Sequence, residues 1–152
     1  MTIHAAGYRV ARFRSGDDAI AKTLFETMAA VFEEDAAQLS DAYLARLLAR
    51  EEMWILAATH GDDVVGGLTA HTLPMTRAET REIFIYDVAV RADHQRRGVG
   101  RILISELTRL AGDAGIHELF VPADNEDSHA LDFYRALGGV PQPVTFFTFG
   151  RG

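Results

Sequence analysis

Three arginines, Arg96, Arg97 and Arg101, flank a Gly98-Val99-Gly100 triplet in a chain that is otherwise acidic. Apolar residues then recur at helical spacing: Val99, Ile102, Leu103, Leu107 and Leu110. The cluster therefore opens a helix. The first turn of a helix presents backbone N–H groups without intrahelical partners, and it carries the positive end of the helix dipole, so it binds anions. Gly98 and Gly100 allow a ligand close to the backbone. A pyrophosphate-bearing ligand is the economical reading of Gln95, Arg96, Arg97, Gly98, Val99, Gly100 and Arg101. A dinucleotide fingerprint would need glycine where Leu103 stands, and a P-loop would need Gly-Lys-Ser/Thr. Taken alone, a Gly-x-Gly segment is more often a basic turn with a glycine hinge.

Upstream, Glu82-Ile-Phe-Ile-Tyr-Asp-Val-Ala-Val90 is nearly continuously apolar and rich in β-branched and aromatic residues, as a central strand is. Asp87 interrupts it. A carboxylate there is costly unless it is hydrogen-bonded, so Asp87 is either satisfied by neighbouring backbone, as at a bulge, or placed for chemistry. Tyr134 lies in a late amphipathic helix and reads there as a core aromatic. Glu33-Glu34-Asp35 and the trio Asp124, Glu126 and Asp127 are either solvated loops or carboxylates facing a cation. Histidines 4, 60, 71, 94, 117 and 129 show no metal-ligand spacing, so no metal is expected, and His94 reads as a surface histidine near the basic loop.

Around these residues the pattern places strands at Tyr8 to Phe13, Met53 to Ala58, Val64 to Leu73, Glu82 to Val90, His117 to Val121 and Val144 to Phe149. Gly61-Asp62-Asp63 is turn chemistry and joins a hairpin. Helices follow Ser15 (near a capping box with Asp18), Ser40, Gly98 and Ser128, the last ended by Gly138-Gly139. The order predicts an α/β fold: a mixed, mostly antiparallel sheet with helices on both faces, in a single domain over residues 1–152.

At 152 residues the chain can bury a sizeable core without staples. It has no cysteine, which excludes disulfides, thiolate metal sites and acyl-cysteine intermediates. The formal net charge of −7 disfavours nucleic acid and suits a cationic substrate. No apolar run approaches the about 20 residues needed to span a bilayer, and the N-terminus lacks the apolar core of a signal peptide. No membrane association and a cytoplasmic location are expected.

Gln-x-x-Gly-x-Gly directly after a strand ending Asp-Val-Ala-Val resembles motif A of the GCN5-related N-acetyltransferase (GNAT) superfamily. Ser128-His129-Ala130-Leu131-Asp132-Phe133-Tyr134-Arg135-Ala136-Leu137-Gly138 resembles its motif B. The resemblance implies the acyl-CoA N-acyltransferase fold, with acetyl-CoA as the acyl donor. It implies that the loop grips the coenzyme A pyrophosphate and that Val88, Ala89 and Val90 bond the pantetheine arm through their backbone. Tyr134 then matches the tyrosine that protonates the departing sulfur, and transfer is direct, in a ternary complex. Asp127 stands where many members carry asparagine.

A narrower resemblance, to type I aminoglycoside 3-N-acetyltransferases, rests on Glu82 to Val90, on Asp93-His94-Gln95-Arg96-Arg97, on Val121-Pro122-Ala123-Asp124-Asn125-Glu126-Asp127, and on Val144-Thr-Phe-Phe-Thr-Phe149. It implies that Asp87 holds or deprotonates the 3-amine. Tyr86, Asp124, Glu126, Asp127, Glu33 and Glu34 then contact the rest of a polycationic substrate, and the terminal segment lies in a homodimer interface. A polyamine, an amino sugar or a protein N-terminus is the alternative acceptor, and a non-catalytic acyl-CoA-binding module is the alternative from another class. A pure binder would need neither Asp87 nor Tyr134.

Overall fold

A computed structural model describes residues 2–150. The chain divides into two compact units, residues 1–122 and residues 123–152.

The first unit is a six-stranded sheet in sequence order: β1 (Thr2–Ile3), β2 (Tyr8–Phe13), β3 (Met53–His60), β4 (Asp63–Pro74), β5 (Arg81–Val90) and β6 (Leu119–Phe120). All neighbours are antiparallel except β5 and β6, which are parallel. Helices α1 (Asp18–Val31) and α2 (Asp41–Leu48) follow β2, and α3 (Val99–Asp113) joins β5 to β6. Alternation along the strands feeds two cores. Tyr8, Val10, Trp54, Leu56, Leu68, Ile83 and Ile85 pack with Val99, Leu103 and Leu107 of α3. Phe13, Ile55, Ala57 and Ala89 pack with Ala21, Leu24 and Met28 of α1 and Leu48 of α2. The expected mixed sheet with helices on both faces is what forms. Burying each large aliphatic side chain contributes about 1.5–3 kcal/mol. Gly67 lets α1 settle on the sheet, since a Cβ there would lie 2.6 Å from Leu24 Cδ1 and from the Leu56 carbonyl oxygen.

The β4–β5 register shifts between Thr69 and Ala70: Thr69 opposes Asp87 while Ala70 opposes Ile85. Tyr86 is therefore an extra residue, a β-bulge. The bulge inverts the alternation of β5. Ile83 and Ile85 before it, and Val88 and Val90 after it, all pack on the α3 side. Tyr86 and Asp87 consequently fall together on the α1 side.

Several boundaries differ from expectation. α1 is capped at Asp17, not Ser15, because Gly16 adopts a left-handed turn (φ 101°) and delays the helix; the Asp17 carboxylate accepts from the Arg14 N–H at 2.8 Å. Ser40 caps α2 as expected, accepting from the Tyr43 N–H at 3.1 Å. β6 shrinks to two residues: its parallel ladder with β5 ends at Phe84↔Phe120, immediately before the bulge bends β5. β1 was not anticipated; two residues carry no periodicity.

The second unit contains α4 (Ser128–Ala136). Its cap is Asp127, whose carboxylate accepts from the Ala130 N–H at 3.0 Å, so Ser128 is the first helical residue rather than the cap. Gly138 and Gly139 end the helix as expected. Gly138 takes φ 90° and donates to the Arg135 carbonyl, and Gly139 donates to the Tyr134 carbonyl, a Schellman cap. The expected terminal strand is not one. Residues 140–150 have no regular structure, and Val144, Phe146, Phe147 and Phe149 are exposed. A strand is marginal without a ladder, whatever its alternation.

Candidate active site

The loop before α3 is built to present donors. Arg96 (φ 61°) and Gly98 (φ 82°) both adopt the left-handed conformation, which turns the backbone sharply into the helix. Gly98 is the N-cap and supplies no side-chain cap. The first intrahelical bond is Ile102 N–H to the Gly98 carbonyl, at 3.0 Å. The N–H groups of Val99, Gly100 and Arg101 are thus the unfilled first-turn donors of a four-turn helix, and Arg96, Arg97 and Arg101 are exposed around them. A Cβ on Gly98 would meet nothing within 4 Å, so the space beside the loop is open. Gln95 is placed differently from its neighbours. Its side-chain amide donates to the Val90 carbonyl at 2.9 Å and ties the loop to the end of β5.

β5 leads into that loop. One edge is laddered to β4 through Val90, where Gly66 pairs with it. The other carries β6 only at Ile83 and Phe84. Along residues 85–90 the second edge bears no strand among the described residues. Val88, Ala89 and Val90 thus lie on an unladdered edge that leads to the α3 N-terminus, a layout suited to an extended ligand with an anionic end.

Asp87 sits at the bulge, half-buried. Its carboxyl pKa is raised, chiefly by burial and then by the charge of Glu34, and a hydrogen bond from Thr69 partly offsets both. Glu34 is held there by the end of α1. The Glu33 N–H donates to the Ala30 carbonyl and the Glu34 N–H to the Ala29 carbonyl, a Schellman pair at 3.1 and 2.9 Å. Glu33 fills the left-handed position (φ 57°) that glycine usually takes, a conformation costing a non-glycine residue about 1–2 kcal/mol. That strain fixes an exposed carboxylate opposite Asp87. Neither Asp87 nor Glu34 has a cationic partner within ion-pair distance among the described residues. A half-buried carboxylate whose proton affinity is raised by a second carboxylate nearby, with no counter-charge on either, makes a seat for a cation.

Tyr86 is exposed beside Asp87 and lies within an aromatic row that sequence reasoning missed. Its ring meets His71 edge-on at 5.9 Å and Phe84 at 5.7 Å, and Phe84 meets Phe120 at 5.1 Å. His71 also borders a cleft of about 370 Å³ with Tyr43, Leu47, Arg50, Glu52 and Met53. Thr69 was missed as well. Its role depends on the bulge, which leaves no mark in composition or periodicity.

The structure brings Asp87, Tyr86 and Glu34 to one side of the sheet in the first unit. In the second, Asp124 accepts from the Glu126 N–H at 2.9 Å and Asp127 caps α4; all three acidic residues are exposed. Tyr134 is half-buried on α4, its ring 5.1 Å from that of Phe133, and its carbonyl is fixed by the Gly139 cap.

Residues 18–138 match the model of the acetyltransferase (GNAT) family. No curated protein matches the chain. Among solved structures, an aminoglycoside acetyltransferase from an uncultured soil metagenomic sample, in complex with trehalose, is 30% identical over 97% of this chain and 99% of its own, with a TM-score of 0.90. A second aminoglycoside acetyltransferase from such a sample is 33% identical over 95% and 99% of the two chains, with a TM-score of 0.90. A ribosomal-protein-alanine N-acetyltransferase from Brucella melitensis is 18% identical over 94% and 99%, with a TM-score of 0.73, and shares the fold.

Proposed function

The chain belongs to the acetyltransferase (GNAT) family, and from that premise we propose that it moves acetyl from acetyl-CoA to an amine of a polycationic small molecule, the 3-amine of an aminoglycoside. The residues present fit the donor. The strand edge at Val88, Ala89 and Val90 suits an extended amide-bearing arm, and the α3 N-terminus with Arg96, Arg97, Gly98, Val99, Gly100 and Arg101 suits a pyrophosphate. Gln95 acts by bracing the loop. Acetyl-CoA supplies the acetyl group as an activated thioester.

The observation that carries the acceptor is the uncompensated pair Asp87 and Glu34. An ammonium seated there relieves both carboxylates. Asp87, its basicity raised by burial and by Glu34, takes one proton from the ammonium, and the freed amine nitrogen then bonds to the acetyl carbon. The carbon–sulfur bond breaks as Tyr134 gives its phenolic proton to the sulfur, and the second proton on the nitrogen restores the Tyr134 hydroxyl through solvent. With no cysteine available, acetyl passes directly from sulfur to nitrogen. Tyr86 offers a ring face to the substrate, and Glu33, Asp124, Glu126 and Asp127 face its further ammonium groups. The likeness to two aminoglycoside acetyltransferases at 30% and 33% identity supports this acceptor class.

The family match runs through both compact units, which supports a single catalytic domain. The exposed Val144, Phe146, Phe147 and Phe149 support a homodimer, since soluble monomers rarely expose so many large apolar groups together. Sedimentation as a monomer at micromolar concentration would refute it. No helix among the described residues is long and apolar enough to cross a membrane, and a cytoplasmic location accords with that.

The test is thiol release from acetyl-CoA with gentamicin, kanamycin, spermidine and a peptide amine in parallel. Turnover with gentamicin, with mass and NMR placing acetyl on the 3-amine, is the expected result. Turnover only with spermidine or the peptide would keep the acyl transfer and overturn the acceptor.

A further inference from the structure

His94 is not the surface histidine its sequence context suggests: its side chain is only 12% exposed. It ends the single-turn helix Ala92–His94 that immediately precedes the loop. Its Nδ1 lies 2.9 Å from the hydroxyl of Tyr8, which is 3% exposed in the core at the start of β2. Its Nε2 lies 3.8 Å from the Asp93 carboxylate. Asp93 is itself gripped by Arg91 through two bonds, at 3.1 and 2.6 Å. A hydrogen on Nε2 facing the carboxylate leaves Nδ1 to accept from the Tyr8 O–H, so the tautomer and the bond agree. His60 completes the cluster, its ring 5.0 Å from Tyr8 and 5.6 Å from His94. Tyr8 and His60 are cross-strand partners on β2 and β3.

These contacts join the sheet to the loop that precedes α3. The Arg91 N–H donates to the Val65 carbonyl at 2.8 Å, so the chain enters the turn fixed to β4. It leaves the turn at His94, fixed to β2 through Tyr8. Beyond His94 come the two left-handed residues, Arg96 and Gly98, whose conformation aims the α3 donors.

We propose that Tyr8 is a positioning residue for acyl-donor binding, acting through His94 to hold the pyrophosphate loop in its binding conformation. The inference rests on the acyl-CoA reading of that loop. Donors held in place before binding need no ordering when the ligand arrives, so loss of the strut weakens coenzyme A binding without touching the acetyl or amine groups. Tyr8→Phe removes one oxygen and leaves the ring in the core. One hydrogen bond of this kind corresponds to about a three- to tenfold change in affinity.

The experiment is titration of unmodified protein and variants with coenzyme A, alongside steady-state kinetics and thermal melts. Tyr8→Phe should raise the Kd for coenzyme A and the KM for acetyl-CoA about three- to tenfold, with kcat and the amine KM within about twofold. His94→Ala should do the same, and the double variant should do no worse than either single one. His94→Asn, which keeps an acceptor near the Nδ1 position, should retain most of the affinity. A merely structural role would lower the melting temperature and leave Kd unchanged in the folded fraction, and that result overturns the proposal. Equal affinities across the series overturn it while leaving the acyl-CoA reading intact. No binding of coenzyme A by unmodified protein overturns both.

Discussion

Asp87→Asn separates the two things a carboxylate can do for an amine. Asparagine keeps the shape and an acceptor for the Thr69 hydroxyl, and it removes the charge and the basicity. If Asp87 accepts the proton, its loss should lower kcat by about 10²- to 10⁴-fold, the usual contribution of a positioned base. If it only orients the ammonium, the loss is one charge-assisted hydrogen bond of about 1.5–3 kcal/mol, which appears as roughly a 10- to 150-fold rise in the amine KM. Stability should move the other way. The Asp87 pKa is raised in the folded chain, so the folded state binds that proton more tightly than the unfolded state does. Its ionisation therefore opposes folding at neutral pH, and stability is recovered as pH falls through the raised pKa. Removing the charge should leave the melting temperature at pH 7 unchanged or higher. The assay is kcat and KM for acetyl-CoA and amine between pH 5 and 9, with melts at the same pH values. A variant that is active with wild-type kcat and KM, or one that melts several degrees lower at pH 7, would refute the reasoning.

Glu34→Gln removes the like charge beside Asp87, so the acid limb of kcat/KM should move to lower pH, and the amine KM should rise about two- to fivefold; a limb that stays in place separates the two carboxylates. Tyr134→Phe should lower kcat by about 10²- to 10⁴-fold while the Kd for coenzyme A, measured by titration, holds within about twofold; unchanged turnover would remove the acid role. Gly98→Ala places a side chain at φ 82° in open space, so its cost is backbone strain of about 1–2 kcal/mol, not a clash. The KM for acetyl-CoA should rise about 5- to 30-fold if the loop yields, or the melting point should fall by a few degrees if it does not.

Legibility followed the length of the pattern. α3 and β5 were readable because each carries many residues of one periodicity, and Ser40 was readable as a cap because α2 begins directly after it. Gly16 displaced the α1 cap by two residues, a matter of one backbone angle. The strands predicted at His117 to Val121 and Val144 to Phe149 were over-read because alternation reports an amphipathic surface, not a partner. Of the site, the sharp loop that opens α3 was visible in glycine and arginine spacing. The neighbours of Asp87 were not: Thr69 lies 18 positions away and meets it only because the register slips between Thr69 and Ala70. His94 looked solvent-facing between Asp93 and Gln95, and only the pairing of β2 with β3 brings Tyr8 to its ring.

The slip at Tyr86 links the two halves of the proposed reaction. Without the extra residue, strict alternation would keep Tyr86 and Asp87 on opposite faces, and Asp87 would enter the α3 core with Ile83 and Ile85. With it, Asp87 turns towards Glu34 and Tyr86 stays exposed beside it. The same irregularity lies just past the last β5–β6 pair, Phe84↔Phe120. One inserted residue thus sets the acceptor carboxylate on one side of β5. The β5–β6 ladder stops just before it, and the edge at Val88, Ala89 and Val90 bears no strand among the described residues. The bulge costs a ladder bond, but it keeps the Asp87 carboxylate out of the α3 core and packs Val88 and Val90 there instead. The same residue brings the carboxylate proposed to bind the amine and the open strand edge proposed to bind the donor within two residues of each other, so one packing solution serves both parts of the proposed site.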